Sequence, residues 1–432
     1  GFSSLGPYII ILPDKLYYNK DTGEYGSLEV SYTGSAKIGD GTYAGEEAKA
    51  NTITFTGVDL TAIFREGDGI TISGASDPAN NGTFIVREIT ATQLVFYENT
   101  FTISGSSVNE SAITVSRTMP DMDFICTNEN RLWGCKGDTI YASKLGDPFN
   151  WNVYDGISTD SYAVDVGSAG DFTGCVSFLG YPVFFKEERI YKVYGAKPSN
   201  FQVMGSASLG VAAGSHKSLA IAGEVLFYMS RAGIVAYSGG IPQNISEPLG
   251  GIKYKNVVAG SDGIKYYAQM LDASEGFATF VYDTRVNLWH READDRWIGT
   301  AYHGGMVFLS IPGDGLWLVG DPVGTYYDAI TEEDFDSSVE FGDFVEGDPN
   351  KKGTSKLQIR AELEAGASLA VEIMYDSDGI WNRVSTMFTP KKRSYYLPLR
   401  PRRCDHFKIR LTGHGGWTLY SLVRESYSGS EL

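Results

Sequence analysis

Fifty-three Asp and Glu residues are the most abundant reactive groups in this chain of 432 residues. Two carboxyls hydrolyse a glycosidic bond when a fold holds them about 5 to 9 Å apart. No spacing in the sequence singles out such a pair, and none is named. The five histidines (His216, His290, His303, His406 and His414) are scattered. No HExxH, GxSxG, Walker loop or GxGxxG ahead of a helix occurs. "NKDTGEYG" (19–26) and "EEDFD" (332–336) lack the alternating ligands and terminal Glu of a calcium loop, and read as solvated segments. Cys126, Cys135, Cys175 and Cys404 fit no common zinc spacing. With the turn "TNENR" centred near Glu129, Cys126 is expected to face Leu132 and not Cys135. The thiols are therefore read as free and mostly buried, as in a reducing cytoplasm. No catalytic residue, cofactor site or metal site is assigned.

One stretch does concentrate chemistry. "KKRSYYLPLRPRRCDHFKIR" (391–410) carries eight cations against one acid and interleaves them with aromatic rings. Lys391, Lys392, Arg393, Arg400, Arg402, Arg403, Lys408 and Arg410 form a candidate interaction face. Such a face suits phosphate contact and base stacking, or docking on an acidic surface. An acidic surface is at hand: residues 328–348 hold nine Asp and Glu and no Lys or Arg. They read as a linker. The net charge of −17 argues against a general nucleic-acid coat, although DNA proximity stays open.

The elements that must hold these residues are strands. Aromatic and β-branched residues sit between Gly, Asn and Asp turns, and long Ala/Leu/Glu/Lys runs are missing. The chain is expected to be all-β. Three segments share a pattern: "IYASKLGDPFNW" (140–151), "IYKVYGAKPSNF" (190–201) and "IVAYSGGIPQNI" (234–245). Ile140, Ile190 and Ile234 start them; Pro148, Pro198 and Pro242 and then Asn150, Asn200 and Asn244 follow. Each is preceded by an apolar strand, so each unit is a β-hairpin followed by a Pro-x-Asn loop that leads toward the neighbouring unit. Recurring units of this length are the signature of propeller blades. About six blades are expected.

The chain divides into four parts on this reading: a first propeller segment (1–45), an inserted small β-barrel or sandwich (46–117), a β-propeller (118–345) and a C-terminal β-sandwich (346–432). "LTAIFREGD" is expected to hold the insert's helical turn. No apolar run reaches the length of a membrane span, and no signal peptide is present. The chain starts at Gly1 without Met, which reads as a cleaved or trimmed start.

"YDSDGIW" (375–381) is similar to the Asp-box of sialidase-type propellers, but its Trp comes too early and the box does not recur. It reads as a tight hairpin turn. A closer resemblance lies in the repeat. "NRLWGCKGDTIYASKLGDPFNWNVY" (130–154), "FFKEERIYKVYG" (184–195) and "FYMSRAGIVAYSGGIPQNIS" (227–246) resemble blades of propeller-type structural proteins of tailed bacteriophages and prophages. These are tail, nozzle and packaged-DNA-stabilisation proteins. The likeness covers 120–250 well and the rest weakly. It implies a non-enzymatic virion component of a tail or head–tail connector, made in the bacterial cytoplasm. It would act by contacts with other virion proteins in a symmetric assembly, which is compatible with a monomeric isolated chain. The alternative is a carbohydrate-binding or carbohydrate-cleaving propeller at the host surface, with Trp133, Trp151 and Trp317 as aromatic platforms. Burial of those three side chains separates the two readings.

Overall fold

The structure is a computed structural model that describes residues 1–42, 49–105, 107–274, 276–292, 296–304, 306–319, 334–345, 347, 350–399 and 402–428. It is all-β, with short 3-10 turns as its helical elements. Residues 1–320 form one compact unit and 321–432 a second.

The first unit is a radial array of six antiparallel sheets that follow one another along the chain. Their first strands are Phe2–Leu5, Phe124–Asn128, Gly174–Phe178, Ala220–Ala222, Lys255–Ser261 and Gly299–His303. Five blades have four strands and the sixth has three described ones. The first strands of blades one, two and three touch in turn, as do those of four, five and six, so they lie innermost. The entry turn of the fourth blade crosses the centre: Lys217 Nζ donates to the Ile298 carbonyl at 3.2 Å, and His216 packs on the Phe124 ring.

Ile140, Ile190 and Ile234 occupy the same place in three blades. Each is buried on the third strand, opposite Cys135, Phe185 and Met229. The repeat in the sequence is therefore a repeat in space. The Pro-x-Asn loops are also equivalent, but they join the third strand of a blade to its own fourth strand. They do not pass the chain to the next blade. Proline stops the ladder after the third strand, and the Asn side chain closes the reversal. Asn200 Oδ1 accepts from the Ala196 and Lys197 amides, and Asn244 Oδ1 accepts from the Ser246 amide.

Consecutive blades bury their facing sides against each other. Trp151 fills the space between blades one and two with Leu5, Ile10, Tyr17, Leu132 and Phe149. Trp133, Cys135, Phe184 and Tyr191 fill the next interface, and Phe185, Tyr228 and Tyr237 the one after. The Glu129–Asn130 turn has only two residues, both with positive φ (44° and 61°), which is the geometry of a tight hairpin. It sets Cys126 opposite Trp133. The expected pairing with Leu132 is thus off by one position, because the loop is shorter by one residue than the centred turn assumed.

The insert is a closed six-stranded barrel: Val30–Thr42, Lys49–Phe55, Gly69–Ser73, Gly82–Ile89, Gln93–Phe96 and Ser107–Arg117. Ile38, Ile53, Phe55, Phe64, Phe96 and Val115 fill it. Its first strand starts at Val30, so the boundary drawn at 45/46 falls inside the barrel. The long Val30–Thr42 strand pairs on both edges and closes the sheet, which its Gly and Thr content concealed. The helical turn is at Leu60–Ala62, within "LTAIFREGD". Asn150 of the second blade's loop ties into the barrel beside a buried ion pair. Arg117 Nη1 lies 2.5 Å from Asp68 Oδ2, Asn150 Nδ2 reaches Asp68 Oδ1 at 3.4 Å, and the Gly69 amide donates to Asn150 Oδ1 at 2.7 Å. A Cβ on Gly69 would meet Val153 at 2.6 Å, so only glycine permits this approach.

The second unit is a β-sandwich. One sheet orders Asp336–Glu340, Phe407–His414, Ser368–Tyr375 and Asn382–Met387; the other orders Arg393–Pro398, Lys352–Leu363 and Trp417–Ser428. Leu357, Ile359, Leu369, Val371, Phe407 and Ile409 lie between them. The acidic stretch read as a linker supplies an edge strand, Asp336–Glu340, and Phe341 and Phe344 anchor it to the core. Its remainder at 328–333, 346 and 348 lies outside the described residues. "YDSDGIW" is a hairpin turn between Ser368–Tyr375 and Asn382–Met387.

Candidate functional site

The eight cations of 391–410 do not make one face. Lys391, Lys392 and Arg393 enter a strand of the three-stranded sheet, whereas Lys408 and Arg410 lie on Phe407–His414 in the opposite sheet. The hydrophobic core separates the two groups. Arg400 lies outside the described residues, and Arg402 and Arg403 follow in the loop between the sheets. A sequence read as a line shows neighbours that a sandwich puts on different sides.

Three of these charges meet acids of the sandwich itself. Lys408 Nζ is 3.6 Å from Glu340, and Arg402 is 3.5 Å from Asp378 with its guanidinium over the Tyr375 ring. Arg410 is 2.7 Å from Glu372 and stacks over Trp381 at 4.3 Å. Arg383 reaches the same carboxylate at 3.2 Å. Burial pulls the Glu372 carboxyl up, but the hydrogen bonds and charges of the two arginines outweigh it and hold it below the usual range.

The outer side of the three-stranded sheet is different. Along Lys352–Leu363, alternation sends Leu357, Ile359, Ala361 and Leu363 into the core and Lys356, Gln358, Arg360 and Glu362 outward. Gln358 sits in register with Tyr396 on one side and Val423 on the other. Tyr420 projects beside them, near Glu362. Tyr396 is 62% exposed, Val423 54% and Tyr420 47%. Polar groups hold both rings. Gln358 Nε2 donates to Tyr396 Oη at 3.3 Å, and Tyr420 Oη donates to Glu362 Oε2 at 2.6 Å. Lys392 Nζ stands 3.4 Å over the Tyr420 ring, and Lys356 Nζ 5.9 Å from the Tyr396 ring centre. Residues 358 to 362 extend about 14 Å along the strand, and three strands span about 10 Å. The result is a sheet face with two exposed rings, Tyr396 and Tyr420, the second capped by an ammonium, set among amide and carboxylate groups. Chemically, it offers ring faces to C–H surfaces and hydrogen-bonding groups to hydroxyls.

The tryptophans considered from the sequence make no such platform. Trp133 is 3% exposed and Trp151 1%, each locked between blades; Trp317, at 43%, is open. A groove of about 1080 Å³ in the propeller is lined by Asp171, Glu187, Glu188, Arg189, Tyr191 and Arg231 among others. Glu188 pairs with Arg231, and Glu187 accepts from the Ala213 amide at 3.2 Å. Sequence reasoning flagged Tyr396 only as part of an aromatic-basic stretch and missed Tyr420. The signal for the second was the strand alternation of "WTLYSLVRESY", which needs the partner strand to show its direction.

No protein-family profile matches the chain, and no curated protein matches it in sequence. Among solved structures, it is similar to an exo-β-1,3-galactanase from Phanerochaete chrysosporium with β-1,3-galactotriose. The TM-score is 0.26 at 10% identity, covering 70% of this chain and 95% of that one. It is also similar to a glycoside hydrolase with TM-score 0.18 at 10% identity, covering 97% and 96%. Likeness at this level transfers no residue, substrate or reaction. The named structures are nonetheless carbohydrate enzymes and not virion parts, and the expectation of a non-enzymatic virion component is corrected on that finding.

Proposed function

We propose that this protein binds carbohydrate, and that the outer face of the sandwich's three-stranded sheet is where it does so. The observation that carries the reading is the pair of open rings, Tyr396 and Tyr420, fixed on one flat sheet face amid Gln358, Glu362, Lys356 and Lys392. A pyranose has an apolar C–H face and a rim of hydroxyls. The rings suit the first and the flanking polar groups the second. Because a rigid sheet holds the rings, little ordering entropy is lost on binding. The face is open and flat, which suits a stretch of polysaccharide better than a small molecule needing enclosure. The reading is of binding; it assigns no catalytic pair.

The test is a glycan microarray followed by calorimetric titration with the best-bound soluble oligosaccharide. The double variant Tyr396→Ala, Tyr420→Ala is expected to lose at least about tenfold in affinity, since each stacked ring contributes on the order of 1 kcal/mol. Its circular dichroism should match the parent. Absence of any arrayed ligand, or unchanged affinity in the folded double variant, would overturn the proposal.

A further inference from the structure

We infer that Cys126 and Cys175 are an oxidisable dithiol that joins the second and third propeller blades through a disulfide. The two residues stand on the innermost strands of neighbouring blades, Phe124–Asn128 and Gly174–Phe178. Their alignment is fixed by a separate contact. Asn128 Nδ2 donates to Ser177 Oγ at 2.8 Å, across a separation of 49 positions. Side chains alternate along a strand, so two residues earlier the same faces meet again. With these strands side by side, that places Cys126 next to Cys175 at the same separation. Cys126 and Cys135 lie in the apolar cluster between these two blades, and Cys175 packs against it.

Cys175 is partly exposed, whereas Cys126 is buried beside it. An open cavity of about 400 Å³ is lined by both cysteines together with Phe124, Thr127, Ser177 and His216. Cys135, fully buried on the second strand of its blade, is opposite Phe124 and so lies diagonal to Cys126. Among the described residues, no group of three His, Cys, Asp or Glu is arranged to hold a metal, so the thiols are not read as a metal site. All four cysteines are free thiols here.

The oxidant required is a low-molecular-weight disulfide such as oxidised glutathione. The Cys175 thiolate attacks one of its sulfurs, forming a mixed disulfide and releasing one glutathione thiolate. The Cys126 thiolate then attacks the Cys175 sulfur and releases the second. One disulfide bond breaks and one forms, two protein thiols are oxidised, and their two protons end on the two released glutathiones. The neighbouring thiol and burial raise Cys126, and burial raises Cys175, so the thiolates are scarce at neutral pH. The reaction should accelerate as the solution is made alkaline.

The test treats the folded protein with oxidised glutathione at mildly alkaline pH. Acid quenching, maleimide blocking after unfolding, and tryptic mass spectrometry follow. Trypsin places the three thiols on separate peptides: 118–131 with Cys126, 132–136 with Cys135 and 145–186 with Cys175. The expected product links 118–131 to 145–186 and leaves 132–136 alkylated. The oxidised protein should also melt several degrees higher, an increase that dithiothreitol removes. Neither change should occur in Cys126→Ser or Cys175→Ser. Full alkylation of all three peptides, or a link through 132–136, would overturn the inference. The mapping uses the parent protein, so it stands even where a serine variant folds poorly.

Discussion

Aromatic side chains meet opposite fates in the two units. Between blades, Trp133, Trp151, Tyr228 and Phe185 are buried on both sides. On the sandwich's outer sheet, Tyr396 and Tyr420 face solvent from strands of similar alternation. The blades between the first and the last have neighbours on both faces, so both sets of alternating residues find cover, and an aromatic there contributes to stability. The three-stranded sheet has a core on one face only. An aromatic on its other face buries little area on folding and is free to serve a ligand.

That contrast can be broken most severely at Trp151. Trp151→Ala should cost about 3 to 5 kcal/mol in the propeller, measured by denaturant unfolding, because a buried indole leaves a cavity. Glycan affinity should stay unchanged, since Tyr396 and Tyr420 belong to the other unit. Lost affinity in a still-folded Trp151 variant would show that the two classes of aromatic are not separate. The reverse substitution sharpens the contrast. Tyr396→Ala alone should change stability by no more than about 0.5 kcal/mol while weakening glycan binding several-fold.

Two carboxylates extend the comparison to pH. Burial raises the Asp68 carboxyl, and the nearby Arg117 only partly offsets it. An acid whose folded pKa is raised favours folding most below its unfolded pKa, and that contribution is lost as pH rises through the folded value. Glu372 is the opposite case. Its lowered folded pKa gives stability that is present above the unfolded value and is lost as pH falls through the folded one. Acidification through the carboxylate range should therefore loosen the sandwich at Glu372, while the contribution of Asp68 to the barrel–blade contact grows. Hydrogen-exchange mass spectrometry of peptides from the two regions against pH reads this; an equal response in both would contradict it. The smallest effect is expected at Pro148. Pro148→Ala should cost about 1 kcal/mol or less, acting largely through the unfolded chain, as differential scanning calorimetry can check.

The blades were legible because their signals are local. Ile140, Ile190 and Ile234 recur with a Pro and an Asn at fixed distances, and every interval between them is short enough to be read as one hairpin and its loop. The strand class, the helical turn at Leu60–Ala62 and the closing role of the asparagines came with them. The start of the barrel at Val30 was not legible, because strand closure pairs Val30–Thr42 with segments far along the chain, and nothing near residue 30 announces that. The basic stretch failed for a related reason. Residues 393 and 408 are close in sequence, but a chain crossing from one sheet to the other puts the core between them.

What the sequence determined by itself was periodicity: which residues alternate, where Pro and Gly interrupt, and hence that the chain is a series of β-units. These depend on φ, ψ and side-chain preference over a few residues. Only the tertiary structure decided which alternating face is covered. That choice depends on a third layer of protein being present or absent. It buries Trp151 between two blades, sets Cys126 and Cys175 in one cluster across a blade interface, and leaves Tyr396 and Tyr420 exposed on the outer side of a sheet.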